Sequence, residues 1–234
     1  SGGYNLKPSR HIEDMHQDMA GAAVVLGVFR LLKKLNIQQN IIGLMPVTEN
    51  LVSETAYKPS EIITTYSGKT IEITNTDAEG RVVLCDALSY AEKNLEPREV
   101  IDIATLTGAC PIALGDRYAG IMATDRKMIK AMYHSGRRTD ELVWELPIHP
   151  DFEERMKSKI ADIINSTRDF GADVQKGAIF LKHFVGKVPW LHIDIAGVAF
   201  AEMPKKYEYL QGTGFGVRLL IDYLQSKSTE GSQI

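Results

Sequence analysis

The fold of this chain is constrained most by the alternation of short β-branched runs with longer segments of helical periodicity. The runs "EVIDIATLTGA", "AGIMATD" and "PWLHIDIAG" have the length and composition of strands, and helical patterns separate them. Such alternation favours parallel strands joined by helical crossovers. The sequence therefore predicts an α/β fold in three layers (α/β/α), with a central mixed, mainly parallel sheet. No repeat or low-complexity linker interrupts residues 1–234, so one domain is predicted.

Helical spacing of apolar residues from Ile12 to Leu35 predicts a first helix along the stripe Met15, Met19, Ala23, Leu26, Phe29 and Leu32. The run "MAGAA" within it has side chains small enough to admit another backbone at close range. Further helices are predicted at residues 80–94, 126–135, 151–159, 173–186 and 214–225. Strands are also predicted at Ile41–Val47 and Lys69–Asn75, since both runs have strand length.

Composition excludes several classes of protein. A net charge of -3, without a stripe of Lys and Arg, argues against nucleic acid and anionic membranes as partners. No apolar run reaches the roughly 18 residues of a membrane span, and no signal peptide is recognisable. Cys85 and Cys110 lie in apolar surroundings without a CxxC motif, which predicts reduced core thiols in a cytoplasmic protein.

Carboxylates cluster where a predicted strand turns into a helix. The segment "NTDAEGR" contains Asp77, Glu79 and Arg81, and two carboxylates this close need nearby positive charge. Sites in open α/β sheets collect at the carboxyl ends of strands, where the loop carrying Lys7 and the helix carrying Asp18 can also converge. Anionic oxygens bind hard divalent cations, and a pair of such ions can clamp a water nucleophile and a carbonyl oxygen.

Each of these residues also has a purely structural interpretation. Asp77 and Glu79 suit the first turn of a helix, where backbone N–H groups favour negative charge. Asp18 can be a solvated or ion-paired side chain, Lys7 a surface lysine, and Arg81 the partner of a neighbouring carboxylate. Spacing alone leaves both interpretations open.

Other catalytic patterns are missing from the sequence. The six histidines show no HxxxH or HxH spacing, and His192 alternates with apolar residues as a core histidine would. A serine hydrolase would need a GxSxG elbow and a partner base, and neither is found.

Several motifs, in order and at matching spacing, resemble the leucyl aminopeptidases, also called cytosol aminopeptidases. These are "SGGYNLKP", "HQDMAGAA", "NTDAEGR", "ATLTGAC…ALGDRYAGIMA" and "HIDIAG…GTGFGVRLL", which together cover essentially the whole chain. The resemblance implies a two-metal exopeptidase that removes N-terminal residues such as leucine from peptides with a free N-terminus. It also implies zinc or manganese, or else magnesium, as the metals, and a homohexameric assembly.

Matching the motifs residue by residue gives implied roles. Asp18, Asp77 and Glu79 would be metal ligands. Lys7 would bind and polarise the scissile carbonyl, and Arg81 would hold a bicarbonate ion that acts as general base.

A pocket for the first side chain of the substrate is implied as well. The matching positions are Met15, Thr105, Gly108 and Ala196. Ala199 stands where some members carry a bulkier residue, so a change in pocket size is expected.

One departure from the family pattern concerns the start of the chain. The family motif continues upstream of "SGG" with a lysine and an aspartate that both bind metal, in a longer catalytic domain preceded by an N-terminal domain. Because the sequence begins at Ser1, we expect these 234 residues by themselves to bind metal weakly and hydrolyse little. The alternative hypothesis is a non-catalytic assembly or binding module of the same family.

Overall fold

A computed structural model describes residues 3–7, 12–169, 171–201 and 211–230, with side chains to residue 227. The chain divides into two compact units. The first consists of the residues up to 15, residues 46–100 and residues 147–189; the second consists of residues 16–45, 101–146 and those from 190 onward. The prediction of a single domain stays a prediction.

The described residues form a series of helices and mostly short strands. They are a 3-10 helix (Met15–Met19), α1 (Ala20–Leu32), β1 (Ile62–Thr64), β2 (Thr70–Glu72), α2 (Glu79–Leu95), β3 (Val100–Ala104), α3 (Ala109–Leu114), β4 (Ala119–Ala123), α4 (Arg126–Thr139), β5 (Val143–Glu145), α5 (Pro150–Arg155), β6 (Ile163–Ile164), α6 (Asp173–Lys182), β7 (Trp190–Asp194), β8 (Phe200–Ala201), β9 (Gln211–Gly212) and α7 (Val217–Glu230).

The first unit is built on a small mixed sheet in the order β1-β2-β6. Strand β2 is antiparallel to β1 and parallel to β6, with Ile71 opposite Ile163. Ile71 and Ile73 are fully buried, as period-two alternation requires of a half-buried strand. Helices α2 and α6 pack against each other. Gly186, the predicted helix stop, has φ +67°, and a Cβ there would lie 1.7 Å from the Glu92 carboxylate.

The second unit is built on a four-stranded sheet in the order β3-β7-β4-β5. Strand β4 is parallel to β5 and antiparallel to β7. Backbone hydrogen bonds from Val100 to Pro189 and from Ile195 to Ala104 join matching ends of β3 and β7, so these strands run parallel. The core includes the fully buried Ile121, Leu191 and Ile193. Helices α1 and α4 both pack against α7. The predicted α/β fold with mixed sheets is confirmed.

Close backbone contact at the start of α1 confirms the prediction made from its small residues. A Cβ on Gly21 would lie 2.3 Å from the carbonyl oxygen of Ile103 in β3, so only glycine fits. This contact also decides which face of the helix is buried. Gly21, Val24 and Val28 are buried, whereas Leu26 is 56% exposed, so the predicted apolar stripe was wrong.

Other boundaries and elements differ from the prediction. The α-helix predicted from Ile12 begins at Ala20, after the 3-10 helix. The predicted strand Ile41–Val47 carries no regular secondary structure. Its Gly43 lies against α1, where an added Cβ would be 2.5 Å from a ring carbon of Phe29, so the apolar run packs without a strand ladder. The short elements β1, β5, β6, β8, β9 and α3 were not predicted, because each is too brief to show a period.

Candidate active site

A single buried amide holds the turn that precedes the carboxylate cluster. Asn165 follows β6 and is completely buried. Its Oδ1 accepts hydrogen bonds from the Thr74 amide (2.8 Å), the Thr74 hydroxyl (3.1 Å) and the Asn75 amide (3.2 Å). Its Nδ2 donates to the carbonyls of Asn75 (2.6 Å) and Ala78 (3.4 Å). The shape of the turn is therefore fixed from outside, by a residue that sequence reasoning missed.

The turn places the predicted catalytic residues of the first unit close to one another. Asp77 is exposed, and its Oδ1 accepts a hydrogen bond from Lys7 Nζ at 2.5 Å. Glu79 is the first residue of α2, whose N-cap Ala78 has no capping side chain. Arg81 Nη1 donates to the Asn165 carbonyl at 2.9 Å. Lys7, 70 residues from Asp77 in sequence, thus supplies positive charge to the cluster.

Tyr57 is a second residue of this region that the sequence did not indicate. Its hydroxyl is buried and has no hydrogen-bond partner among the residues that the structure describes. Burial raises the pKa of the Tyr57 phenol, and the negative charge of Glu79 raises it further. The neutral phenol is therefore a hydrogen-bond donor held near a carboxylate.

In the second unit, a buried carboxylate holds the two turns that carry predicted pocket residues. Asp194 ends β7 and is fully buried. Its Oδ1 accepts from the Leu106 amide at 3.2 Å and from the Ala196 amide at 3.1 Å. Its Oδ2 accepts from the Thr107 hydroxyl at 2.7 Å. Burial raises the pKa of Asp194, against the lowering effects of His192 and of these three donors.

The remaining predicted residues of the second unit lie around these turns. The Thr105 hydroxyl donates to the Asp18 carboxylate at 2.6 Å, which joins the 3-10 helix before α1 to the residue that follows β3. Gly108 is the N-cap of α3, and a Cβ there would meet no atom within 4 Å. The space above Gly108 is therefore open, while Met15, in the first unit, is half-buried.

A cavity of about 320 Å³ lies beside α1 in the second unit. Its lining comes from the start of α1, from Ala199 and Phe200, and from the segment around Phe215. Of the residues discussed for the substrate pocket, Ala199 alone contributes to it, and Thr105, Gly108 and Ala196 do not. The cavity and the predicted pocket positions are thus different features.

His192, Cys85 and Cys110 all lie in the core. His192 is fully buried, with Nδ1 2.5 Å from the Asp102 carboxylate, which confirms a core histidine. Trp190 Nε1 donates to the other oxygen of Asp102 at 2.6 Å. Cys85 and Cys110 are buried free thiols, as predicted.

The chemistry of the donors in the first unit fits a hard divalent cation. Asp77 and Glu79 offer anionic oxygens, which such cations prefer. The Lys7 ammonium lies 2.5 Å from Asp77 Oδ1, so this carboxylate already has a cationic partner. Over residues 3–7, 12–169, 171–201 and 211–230, no three His, Cys, Asp or Glu side chains gather at one point that could hold a metal ion. Asp18 belongs to the second unit.

Comparison with known proteins assigns the chain to a family. A sequence profile described as the catalytic domain of the cytosol aminopeptidase family matches residues 1–221, and the chain belongs to this family. The probable cytosol aminopeptidase of Geobacter sp. (strain M21) is 47% identical over 227 residues. The proteins of the same name from Geotalea uraniireducens and Cenarchaeum symbiosum are 48% and 44% identical over 225 and 231 residues.

The chain spans about half the length of these relatives. The match to the Geobacter protein covers 97% of this chain and 46% of that protein. The matches to the Geotalea and Cenarchaeum proteins cover 96% and 97% of this chain, and 45% and 47% of those proteins. None of the helices in the described residues is long and apolar enough to cross a membrane.

Proposed function

We propose that this chain carries part of the active site of a metal-dependent aminopeptidase that releases leucine and similar N-terminal residues from peptides. The observation that supports the proposal most directly is the turn containing Asp77, Glu79 and Arg81, with the Lys7 ammonium 2.5 Å from Asp77. A buried amide holds that turn at both of its ends, through hydrogen bonds to Thr74 and Ala78.

Two divalent ions, zinc or manganese with magnesium as a further choice, are the proposed cofactors. Asp77, Glu79 and Asp18 would hold them through carboxylate oxygens. When bound, such ions act as Lewis acids and lower the pKa of a water molecule.

The chain's own cationic groups have proposed roles in the hydrolysis. Lys7 offers an ammonium donor to the oxygen of the scissile carbonyl, where negative charge develops as water adds to the carbon. The planar guanidinium of Arg81 suits bicarbonate, and this anion, held there, would supply a general base for the attacking water. The C–N bond then breaks, and a free amino acid and a shortened peptide result.

The open space at Gly108 supports a pocket for the first side chain of the substrate. No structural contact requires glycine there, since the residue has ordinary helical φ and a Cβ would meet nothing within 4 Å. A homohexamer acting in the cytoplasm is proposed with this function, from the family to which the chain belongs.

Metal binding tests the proposal first. Calorimetric titration of the chain with Mn²⁺ should give weak binding that Asp77→Asn and Glu79→Gln each reduce by about tenfold or more, because each loses one anionic ligand. Asp151→Asn is the matched control, since its carboxylate is in the same unit and similarly exposed, at 76% against 70% for Asp77. Equal effects of Asp151→Asn and Asp77→Asn would refute the proposed ligands.

Hydrolysis of L-leucine 4-nitroanilide is the second test. It should be assayed for the chain alone and for a chimera in which the upstream half of the Geobacter relative precedes Ser1. We expect metal-dependent turnover in the chimera, lost on chelation and in Glu79→Gln, and little turnover in the chain alone. In the chimera, Gly108→Val should reduce hydrolysis of L-leucine 4-nitroanilide more than hydrolysis of L-alanine 4-nitroanilide, without lowering the free energy of unfolding. A chimera that folds and binds metal but cleaves neither substrate would count against an aminopeptidase.

A further inference from the structure

The two turns held by Asp194 come from different parts of the second unit. One follows β3 and contains Thr105, Leu106 and Thr107; the other follows β7 and contains Ala196. One oxygen, Oδ1, accepts hydrogen bonds from the Leu106 and Ala196 amides together. The distance between the turns is therefore set at a single atom.

Contacts other than those of Asp194 hold the residues that flank the two turns. Ile195 N donates to the Ala104 carbonyl at 2.9 Å, which joins the ends of β3 and β7. A Cβ on Gly197 would lie 2.4 Å from the Gly115 carbonyl, so this residue is in contact with the end of α3. What remains adjustable is the local conformation of residues 105–108 and 196. Asp194 hydrogen-bonds both turns, whereas the contact of Thr105 with Asp18 reaches only the first of them.

A buried, charged group is a costly way to join two turns unless its geometry has a use. Full burial of Asp194 raises its pKa, and its three donors are two amides and a hydroxyl rather than a cation. A carboxylate accepts from several directions at once, and an apolar residue of the same volume would leave the Leu106 and Ala196 amides without an acceptor. The arrangement thus favours definition of the turns over maximal stability.

We propose that Asp194 is a positioning residue that fixes the width of the pocket for the first side chain of the substrate. The inference rests on the proposed function, because Thr105, Gly108 and Ala196 are pocket residues only if the chain is an aminopeptidase. Asp194 acts through these turns and does not touch the substrate. Loss of its hydrogen bonds lets the turns separate, and discrimination between side chains of different size falls.

The chain offers a matched control in Asp102. This carboxylate is also buried, also lies on the β3-β7 pair, and also accepts two side-chain donors, from Trp190 and His192. Both of those donors belong to strand residues, and neither belongs to a pocket turn. Asp102→Asn should therefore lower stability as Asp194→Ala does, without changing the turns.

Two variants of Asp194 separate hydrogen bonding from charge. Asp194→Ala removes every acceptor. Asp194→Asn keeps an acceptor oxygen for the Leu106 and Ala196 amides, and the Thr107 hydroxyl can rotate to accept from the new NH₂ group. Asp194→Asn should therefore restore most of what Asp194→Ala loses.

Amide exchange of the ¹⁵N-labelled 234-residue chain measures the turns directly. In Asp194→Ala, the Leu106 and Ala196 amides should exchange about tenfold faster than in the parent chain, as expected for loss of one hydrogen bond each. Asp194→Asn and Asp102→Asn should leave these two rates within about twofold of the parent. Unchanged rates in Asp194→Ala would overturn the proposal.

Ligand selectivity measures the consequence for the pocket. L-leucinamide and L-alaninamide are titrated into the same samples with Zn²⁺, which is diamagnetic, and the shifts of the Thr105, Gly108 and Ala196 amides give the affinities. The parent chain should prefer leucinamide by about tenfold, as hydrophobic pockets discriminate missing methylene groups. The preference should fall to about threefold or less in Asp194→Ala and persist in Asp194→Asn and Asp102→Asn.

The outcomes distinguish this proposal from the one on which it rests. A parent chain that prefers leucinamide and an Asp194→Ala variant with the same preference would overturn the positioning role alone. A parent chain that binds neither amide at these residues would overturn the pocket itself, and the positioning role with it.

Discussion

In each unit, one buried side chain holds the turns that carry candidate site residues, but the chemistry of the two side chains differs. In the first unit Asn165 both accepts and donates, and it satisfies amides and carbonyls of the Thr74–Ala78 turn. In the second unit Asp194 only accepts, and it gathers two amides and a hydroxyl.

The difference follows from what surrounds each turn. The first turn presents the carboxylates of Asp77 and Glu79, so a further negative charge in contact with it would add to their repulsion. A neutral amide avoids that addition. The two turns that Asp194 holds contain no carboxylate of their own, so a charged acceptor adds no repulsion of this kind.

Asn165→Ala should lower the unfolding free energy by about 3 kcal/mol, because several backbone groups lose a buried partner at once. Urea denaturation of the chain measures this effect. Asn94→Ala is the matched control, since Asn94 is exposed on α2 and should change stability by less than about 0.5 kcal/mol. Similar losses in the two variants would show that Asn165 does not hold the turn.

Lys176→Met should cost about 2 kcal/mol. The Lys176 side chain is only 2% exposed, and its ammonium donates to the Thr167 hydroxyl at 2.6 Å and lies 3.2 Å from Asp173 Oδ1. Thr167 lies two residues after Asn165. Loss of the Lys176 ammonium should therefore also weaken the Thr74–Ala78 turn that Asn165 holds. Lys157→Met, at an exposed i,i+3 pair, should have almost no effect in the same denaturation experiment. Equal midpoints for both variants would contradict the prediction.

The pH dependence of stability should differ between the turns of the two units, because only those of the second unit are held by a titrating group. Burial raises the pKa of Asp194, so the folded chain binds this proton more tightly than the unfolded chain. Its contribution to stability is therefore fully present below the unfolded pKa of about 3.9 and is lost as pH rises through the raised folded pKa. The slope in that window should approach about 1.4 kcal/mol per pH unit.

Asp194→Asn removes this titration and leaves the volume unchanged. Denaturation curves across the same pH range, for parent and variant, should converge at acid pH and separate as pH rises, with the variant becoming relatively more stable. A constant difference at every pH would mean that Asp194 titrates alike in the folded and unfolded chain.

Thr107→Val should cost about 1 kcal/mol, because it removes one of three donors from a buried carboxylate. Thr105→Val provides the comparison. The hydroxyl of Thr105 bonds Asp18, whose exposed carboxylate can bind water instead, so a loss below about 0.5 kcal/mol is expected from thermal denaturation. A larger loss at Thr105 than at Thr107 would reverse the proposed ranking of the two contacts.

The sequence indicated most of the longer elements and the exposed residues that are proposed for the site. Strands β3, β4 and β7 follow from β-branched runs, and the cluster around Asp77 follows from its composition and position after a strand. The residues that hold the turns could not be inferred in the same way. Asn165 lies 90 residues from Asn75, and only the pairing of β2 with β6 brings them together.

Asp194 illustrates a second limit of sequence patterns. In "HIDIAG" it alternates with apolar residues, and the pattern shows burial but not which groups it binds. The predicted apolar stripe of α1 was wrong for a related reason. The contact of Gly21 with β3, rather than the apolar stripe, sets the orientation of the helix. In each case a contact distant in sequence decides a local feature.

The two buried cysteines have a practical consequence for following these units. Cys85 lies on α2 in the first unit and Cys110 on α3 in the second, and burial raises both thiol pKa values, that of Cys110 to about 12. Neither thiol is ionised near neutral pH while its surroundings stay closed, and the thiolate is the form that reacts. The rate at which an alkylating reagent labels each cysteine would therefore report how often each unit opens, with one built-in probe per unit.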